Sequence, residues 1–220
     1  MKICLILLYA FATVVLILPS GALACACCAD PGTYSISVRK PSNSEFDELK
    51  KINFGATNLF TMPDYPDDVK GISSLGDNYS STGSFQNNLW KFNMTGEAGK
   101  SGTLNLLKPT SMVDFKADLH DSANGGNGPV LYKEWRFKSR VQSGTGIFQN
   151  GITPTTEYFL VLQGRGNNCT QAEDFTHWRL EITGKKASYA FFGKLNIHQA
   201  LYKKLIFSQK FKDSHKNRTR

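Results

Sequence analysis

The sequence predicts an all-β protein body, and three observations support this prediction. Apolar and polar residues alternate with a period of two along several short runs, as they do in strands that bury one face. Clusters of Gly, Asn, Ser and Pro separate these runs, which is typical of turns. Little of the body has helical spacing. We therefore expect an antiparallel β-sandwich, jelly-roll or immunoglobulin-like, with one short helix, and a closed β-barrel is the alternative.

Most of the predicted strands alternate regularly along their length. In the strand at 133–141, Trp135 and Phe137 are expected to face the core, and Glu134 and Arg136 to face solvent. One run is apolar throughout, as in a central strand that is covered on both faces. The predicted strands are residues 34–38, 90–94, 103–107, 111–119, 133–141, 158–162, 176–183 and 187–192, of which 158–162 is the apolar run.

One predicted strand carries acidic residues on the face that is assigned to solvent. Val113 and Phe115 are expected to face the core, which places Asp114 and Asp118 on the opposite, solvated face. Because a solvated polar face explains these carboxylates, a hard-metal site built from them with His120 and Asp121 is disfavoured.

Helical spacing in the body is confined to residues 44–53. Phe46, Leu49 and Ile52 are three apart there, which places them on one side of a helix. Ser44 is the predicted N-cap because its hydroxyl is suited to accept from a backbone N–H in the first turn.

The N-terminal segment is interpreted as a secretory signal peptide. Lys2 precedes a sixteen-residue apolar stretch, and the small-residue triplet ending at Ala24 is typical of a cleavage site. We expect a secreted, periplasmic or otherwise extracytoplasmic protein. Two alternatives hold it at a membrane: an uncleaved N-terminal anchor, or lipid on Cys25. The predicted organisation is a cleaved signal peptide at 1–24, an all-β domain at 25–193 and a basic extension at 194–220.

The net charge of +8 comes mainly from the C-terminal end of the chain. Residues 25–193 carry 17 Lys plus Arg and 17 Asp plus Glu, whereas residues 194–220 carry eight basic residues against Asp213 alone. With Lys2, these counts give 0 + 7 + 1 = +8. Since the body is neutral, no nucleic-acid partner is expected.

The C-terminal extension has the pattern of an amphipathic helix. Ile197, Leu201 and Leu205 are four apart, and lysines flank this apolar stripe. Such a helix suits peripheral contact with an anionic membrane or an acidic partner, and the alternative is a solvated extension. The lysines expected to make the contact are Lys203, Lys204 and Lys210.

Four cysteines follow the signal peptide: Cys25, Cys27, Cys28 and Cys169. In an exported protein they are expected to form disulfides, and four cysteines allow three pairings. The alternative is a metal-handling protein in which Cys25, Cys27 and Cys28 supply thiolates to zinc or copper(I). Disulfides are favoured because this cluster lacks the two-residue gap of a zinc knuckle and has no partner pair downstream.

The chain has no sequence motif of an enzyme. A Gly-x-Ser-x-Gly elbow, a His-Glu-x-x-His helix and a complete phosphate-binding loop are all missing, so catalysis is disfavoured and no cofactor is expected. For a hydrolase of envelope polymers, the candidate acid–base groups are His177 with Glu181, or His177 with His120.

The three tryptophans have two interpretations. Trp90, Trp135 and Trp178 each share a strand face with apolar residues, which predicts core packing. The alternative is an exposed aromatic platform that stacks on sugars. Core packing is favoured because an exposed platform would also expose those apolar neighbours.

The sequence thus predicts an exported, non-catalytic binding domain. Its unidentified ligand or protein partner is expected to contact loops at one end of the β-structure, because loops carry function on rigid scaffolds. The loops concerned are residues 125–128, 144–151 and 164–169. A thiol-based metal-handling protein and an envelope hydrolase are the alternatives.

Overall fold

The computed structural model describes residues 32–60, 69–86, 88–118, 131–166 and 170–196. These ranges hold ten strands, one α-helix and one short 3₁₀ turn, so the predicted short helix is confirmed. Neither helical element in these ranges has the length and apolar character needed to cross a bilayer. The predicted signal peptide at 1–24 lies outside the described residues. Of the predicted extension at 194–220, residues 194–196 form the end of the last strand, and the rest lies outside the described residues. The elements are β1 Tyr34–Arg39, α1 Asn43–Leu49, β2 Asn53–Phe60, β3 Asn78–Gln86, β4 Leu89–Gly96, β5 Ser101–Leu107, β6 Met112–Asp118, β7 Leu131–Gly146, β8 Glu157–Arg165, the 3₁₀ turn Ala172–Asp174, β9 Phe175–Gly184 and β10 Ala187–Asn196.

Eight of the strands close into an antiparallel barrel. The order around it is β2, β3, β4, β5, β7, β8, β9 and β10, and β10 pairs back onto β2. The all-β class and the closed-barrel alternative are therefore confirmed. The antiparallel pairing expected of the sandwich is also present, but the strands form one continuous sheet instead of two facing sheets. Period-two alternation is the same in both architectures, so only the β10–β2 pairing decides between them.

Aromatic side chains fill the inside of the barrel. Trp90, Trp135 and Trp178 are all fully buried, which confirms that they belong to the core. Trp90 packs edge-on against Phe137 at 5.3 Å between ring centroids, and Phe54 packs edge-on against Trp178 at 4.9 Å. Such edge-on contacts stabilise the core in addition to the stabilisation that comes from burying the ring surfaces.

The strands β1 and β6 extend the sheet beyond the barrel. β6 pairs with the N-terminal half of β7, whereas β5 pairs with its C-terminal end. β1 pairs with β6 in the described residues and has no second strand neighbour there. The apolar row Tyr34, Ile36 and Val38 on β1 is more than half exposed.

The orientation predicted for β6 is wrong. Asp114 and Asp118 are buried, while Val113 and Phe115 are only half-buried. Basic groups compensate one of the buried carboxylates. Asp114 Oδ2 lies 3.0 Å from an Arg39 guanidinium nitrogen and 3.3 Å from the Lys116 ammonium nitrogen. Pairing of this kind offsets the free energy that burying a charge would otherwise cost.

Helix α1 connects β1 to β2 and packs against the core. The structure corrects its predicted start: Ser42, and not Ser44, is the N-cap. Ser42 accepts from the backbone N–H of Glu45, and the Glu45 carboxylate accepts from the backbone N–H of Ser42, which is a capping box. The helix ends at Leu49, which is fully buried.

Candidate functional site

The outward side chains of five neighbouring strands line a groove on the barrel wall. In the register of β7, β8, β9 and β10, one row runs from Glu134 through Gln163 and His177 to Lys194. Residues directly opposite each other on antiparallel strands project from the same face, so these four side chains are neighbours.

A second row runs parallel to the first. It begins at Arg136 and continues through Val161, Arg179 and Phe192 to Asn58 on β2. The two rows are separated by two residues along each strand, which is about 7 Å. Together they span five strands.

The groove has a volume of about 950 Å³. It combines cationic, amide and aromatic groups, because outward positions of strands are free of the packing demands that keep the barrel interior apolar. Phe192 is exposed, whereas Val161 is buried although it points away from the barrel axis. The described residues that line it are Ala56, Asn58, Glu134, Arg136, Phe159, Val161, Gln163, His177, Trp178, Arg179, Phe192, Gly193, Lys194 and Asn196.

The charges that line the groove are predominantly positive. Arg136, Arg179 and Lys194 give three positive charges against one from Glu134, so the described lining carries 3 − 1 = +2 with His177 neutral. Arg136 Nε lies 2.5 Å from Glu134 Oε2. In the part of the chain that the structure describes, Lys194 has no ion-pair partner.

Glu134 is held in place at one end of the groove by two neighbours on its own strand. The Tyr132 hydroxyl donates to one carboxylate oxygen, and Arg136 donates to the other. Burial, together with the hydrogen bond to this carboxylate, raises the pKa of Tyr132 to about 12. The Arg136 guanidinium also lies 5.1 Å from the centre of the Phe115 ring, which is cation–π range.

The sheet is irregular next to the groove. The pairing of β10 with β2 shifts register between Gly193 and Leu195, so the chain bulges at Lys194. Bulges re-aim side chains and are frequent beside binding sites. Gly193 also lies against Trp178: a Cβ on Gly193 would stand 3.0 Å from the indole Nε1. That buried nitrogen has no hydrogen-bond partner in the described ranges.

The structure does not bring His177 and Glu181 together as an acid–base pair. His177 is exposed, and its Nδ1 lies 2.9 Å from the hydroxyl of Thr176. Glu181 is four residues further along β9, about 13 Å away in a strand, and it pairs with Arg179 at 3.1 Å. His120 lies outside the described residues.

The other predicted site residues also lie where the structure describes nothing. They are the disulfide or metal candidates Cys25, Cys27, Cys28 and Cys169, and the tail lysines Lys203, Lys204 and Lys210. Of the expected binding loops, 125–128 lies outside the described ranges. In 144–151, residues 144–146 belong to β7, and in 164–169, residues 164–165 belong to β8 while 167–169 lie outside the described ranges. Within those ranges, no group of three or more His, Cys, Asp or Glu side chains is arranged to hold a metal ion.

Sequence reasoning missed the groove because its lining comes from five strands that are distant in the chain. It did assign Glu134, Arg136, His177 and Arg179 to solvent-facing positions. His177 and Arg179 are exposed as predicted, whereas Glu134 and Arg136 are only half-buried. The available signal for the groove was the presence of outward-facing arginines, Arg136 and Arg179, on two predicted strands. Whether these arginines are neighbours depends on the order of the strands in the sheet. No family model, curated protein or solved structure matches the chain.

Proposed function

We propose that the protein is an exported, non-catalytic binding barrel whose groove takes an anionic glycan. The supporting observation is that one concave face gathers cationic, amide and aromatic side chains. An acidic sugar chain needs all three: cations for its carboxylate or sulfate groups, amides for its hydroxyls, and aromatic surfaces for the apolar faces of its rings.

The three cations of the groove differ in how firmly the fold holds them. Arg136 and Arg179 already pair with Glu134 and Glu181, so their guanidinium groups are oriented before a ligand arrives. Lys194 is exposed, and its position at the β10 bulge places it at the edge of the groove. A preoriented site loses less conformational entropy on binding.

The barrel interior supports this location on the outer wall. Its described residues pack as an aromatic and aliphatic core that includes Trp90, Phe92, Trp135 and Trp178. Interiors of small barrels are either filled by side chains or hold one ligand. Because this interior is filled, the proposal assigns binding to the strand face, whereas the sequence pointed to the end loops.

Salt elution of the full chain from immobilised heparin tests the proposal, since heparin is an anionic glycan. The groove variant is Arg179→Glu with Lys194→Glu. The matched control is Lys91→Glu with Lys100→Glu, which makes the same charge change at exposed positions on β4 and in the turn that follows it. We expect wild type to be retained, the groove variant to elute at clearly lower salt, and the control to elute close to wild type.

Four outcomes would contradict the proposal. Equal decreases in the eluting salt concentration for the two variants would mean that retention depends only on net charge. Failure of wild type to bind heparin would rule out an anionic glycan as the ligand. Loss of retention in Lys203→Glu with Lys204→Glu, without loss in the groove variant, would assign binding to the tail. Groove-dependent retention on poly-L-glutamate but not on heparin would replace the glycan with an acidic peptide.

A further inference from the structure

A lysine and an aspartate meet inside the protein, at one end of the barrel. Lys133 Nζ lies 2.6 Å from Asp174 Oδ2, and the two side chains are 0% and 10% exposed. Lys133 is on β7, and Asp174 ends the 3₁₀ turn before β9. β8 lies between these two strands in the sheet.

Two glycines make this meeting across β8 feasible. Gly164 on β8 pairs with Lys133 on one side and with Phe175 on the other. A Cβ on Gly164 would stand 1.9 Å from the Asp174 carbonyl oxygen, and one on Gly166 would stand 2.0 Å from the Asp174 carboxyl carbon. A side chain at either position would displace Asp174. The two glycines therefore leave space for the Asp174 backbone and for its carboxyl group.

On one side, the pair is surrounded by buried apolar residues. Lys133 Nζ lies 5.4 Å from the centre of the Phe175 ring, and that ring packs on Trp135 at 4.8 Å between centroids. Phe175, Trp135 and Leu162 are fully buried. Taking an ammonium and a carboxylate out of water costs several kcal/mol per ion, and their mutual attraction offsets this only in part.

A third ionisable group is close to Lys133. Asp118 on β6 is buried, and the register pairs Lys116 with Lys133 and Asp118 with Leu131. Asp118 thus occupies the diagonal position on the same face, where neighbouring residues are about 7–8 Å apart and long side chains reach.

We propose that Lys133 and Asp174 join through an intramolecular isopeptide bond. A proton passes from the Lys133 ammonium to the Asp174 carboxylate, which leaves a neutral amine and a neutral acid. The nitrogen lone pair attacks Cγ of Asp174 and forms the new C–N bond. Asp118 takes a proton from nitrogen and returns it to the departing oxygen, so the C–O bond breaks and one water leaves. No oxidant, reductant or other reagent is needed.

Formation of the amide would explain why Lys133 and Asp174 are buried together. The amide removes both formal charges and links β7 to the start of β9 across β8. An exposed pair gives the contrast: Lys138 Nζ lies 2.9 Å from Glu157 Oε2, but these side chains are 63% and 45% exposed. Water hydrates both ions there, and the pair stays ionic.

Mass spectrometry of the purified full chain tests the bond. After reduction, alkylation and trypsin digestion, the amide prevents cleavage after Lys133 and joins peptide 117–136 to peptide 166–179, with the loss of one water. We expect this branched peptide as the main form. The exposed pair Lys138 and Glu157 is an internal control and should be unlinked in the same digest. Cleavage after Lys133 with a free 166–179 peptide, in folded protein, would overturn the proposal.

Substitutions test the role of each residue in forming the amide. Asp174→Asn should give the same branched peptide, because ammonia leaves in place of water, and Lys133→Arg should give none. Asp118→Asn should lower the yield of the branched peptide at least several-fold while circular dichroism still shows the folded barrel. An unchanged yield and rate in folded Asp118→Asn would exclude Asp118 as the proton carrier.

Discussion

Tyr158 donates its hydroxyl to the carbonyl oxygen of Leu107 across 2.8 Å, which ties β8 to the end of β5. A second buried tyrosine differs: the Tyr189 hydroxyl has no hydrogen-bond partner among the described residues. The same substitution should therefore have different effects at the two positions.

We expect Tyr158→Phe to lower the free energy of unfolding by about 1 kcal/mol, because it removes the hydrogen bond that the buried Tyr158 donates to the Leu107 carbonyl. Tyr189→Phe should be neutral or stabilising, since it removes a polar group that is already unsatisfied. Urea unfolding of both variants beside wild type measures the difference. Equal losses at the two positions would contradict this reading of the hydrogen bonds.

The same tyrosines predict how stability changes at alkaline pH. Burial raises the pKa of Tyr158 and of Tyr189 far above the ordinary value of 10.0. A raised pKa in the folded state gives a contribution that is complete below the unfolded pKa and is lost as the pH rises above it. We expect the free energy of unfolding to fall above about pH 10, and to fall less steeply in the Tyr158→Phe, Tyr189→Phe double variant. Tyrosinate absorbance for these two side chains should appear only as the protein unfolds.

Glu45 predicts a loss of stability in acid. Burial raises its pKa, but hydrogen bonds from Arg39 and Ser42 together outweigh burial and lower the pKa below its ordinary value of 4.5. A lowered pKa stabilises the fold above the unfolded value, and this contribution is lost as the pH falls through the folded one. Glu45→Gln should therefore be less stable than wild type at pH 7, and the difference should shrink below pH 4.5. Substitution of the exposed Glu173 by Gln is the control. A difference in stability between wild type and Glu45→Gln that stays constant with pH would contradict the lowered pKa of Glu45.

Glycine positions next to Asp174 should be intolerant of a side chain. Gly164→Ala places a methyl group 1.9 Å from the Asp174 carbonyl oxygen, so β8 and the 3₁₀ turn must separate. We expect a loss of about 1–3 kcal/mol or more in thermal or urea unfolding. Gly76→Ala is the matched control because its Cβ would meet nothing within 4 Å and its backbone does not need a left-handed conformation. A loss in both variants alike would show that space at Gly164 is not the cause.

The three buried indoles predict a specific fluorescence behaviour. Because Trp90, Trp135 and Trp178 are shielded by core side chains, native emission should resist quenching by iodide, and quenching should rise on unfolding in urea. Substituting the exposed Tyr34 with Trp provides an accessible reference in the same chain. Efficient quenching of native wild type would mean that the barrel interior is open to water.

The site was less predictable than the fold, and the reason lies in sequence distance. Alternation assigned Glu134, Arg136, His177 and Arg179 to the outer face, because the direction of a side chain in a strand depends only on its parity. Their proximity depends on which strands pair and in what register, and no local pattern contains that information. The β6 error has a related origin. Asp114 on its acidic face is buried, and Arg39, which is distant in the chain, donates a hydrogen bond that compensates the charge.

The sequence by itself determined that this chain forms antiparallel strands with a buried aromatic core and one short helix, because periodicity and turn chemistry are local properties. Only the tertiary structure decided that the sheet closes through β10 and β2, that five strands form a cationic groove, and that Lys133 meets Asp174. The physical reason is that closure and register join segments far apart in the chain. The packing of the whole barrel selects those pairings, and no single strand specifies them.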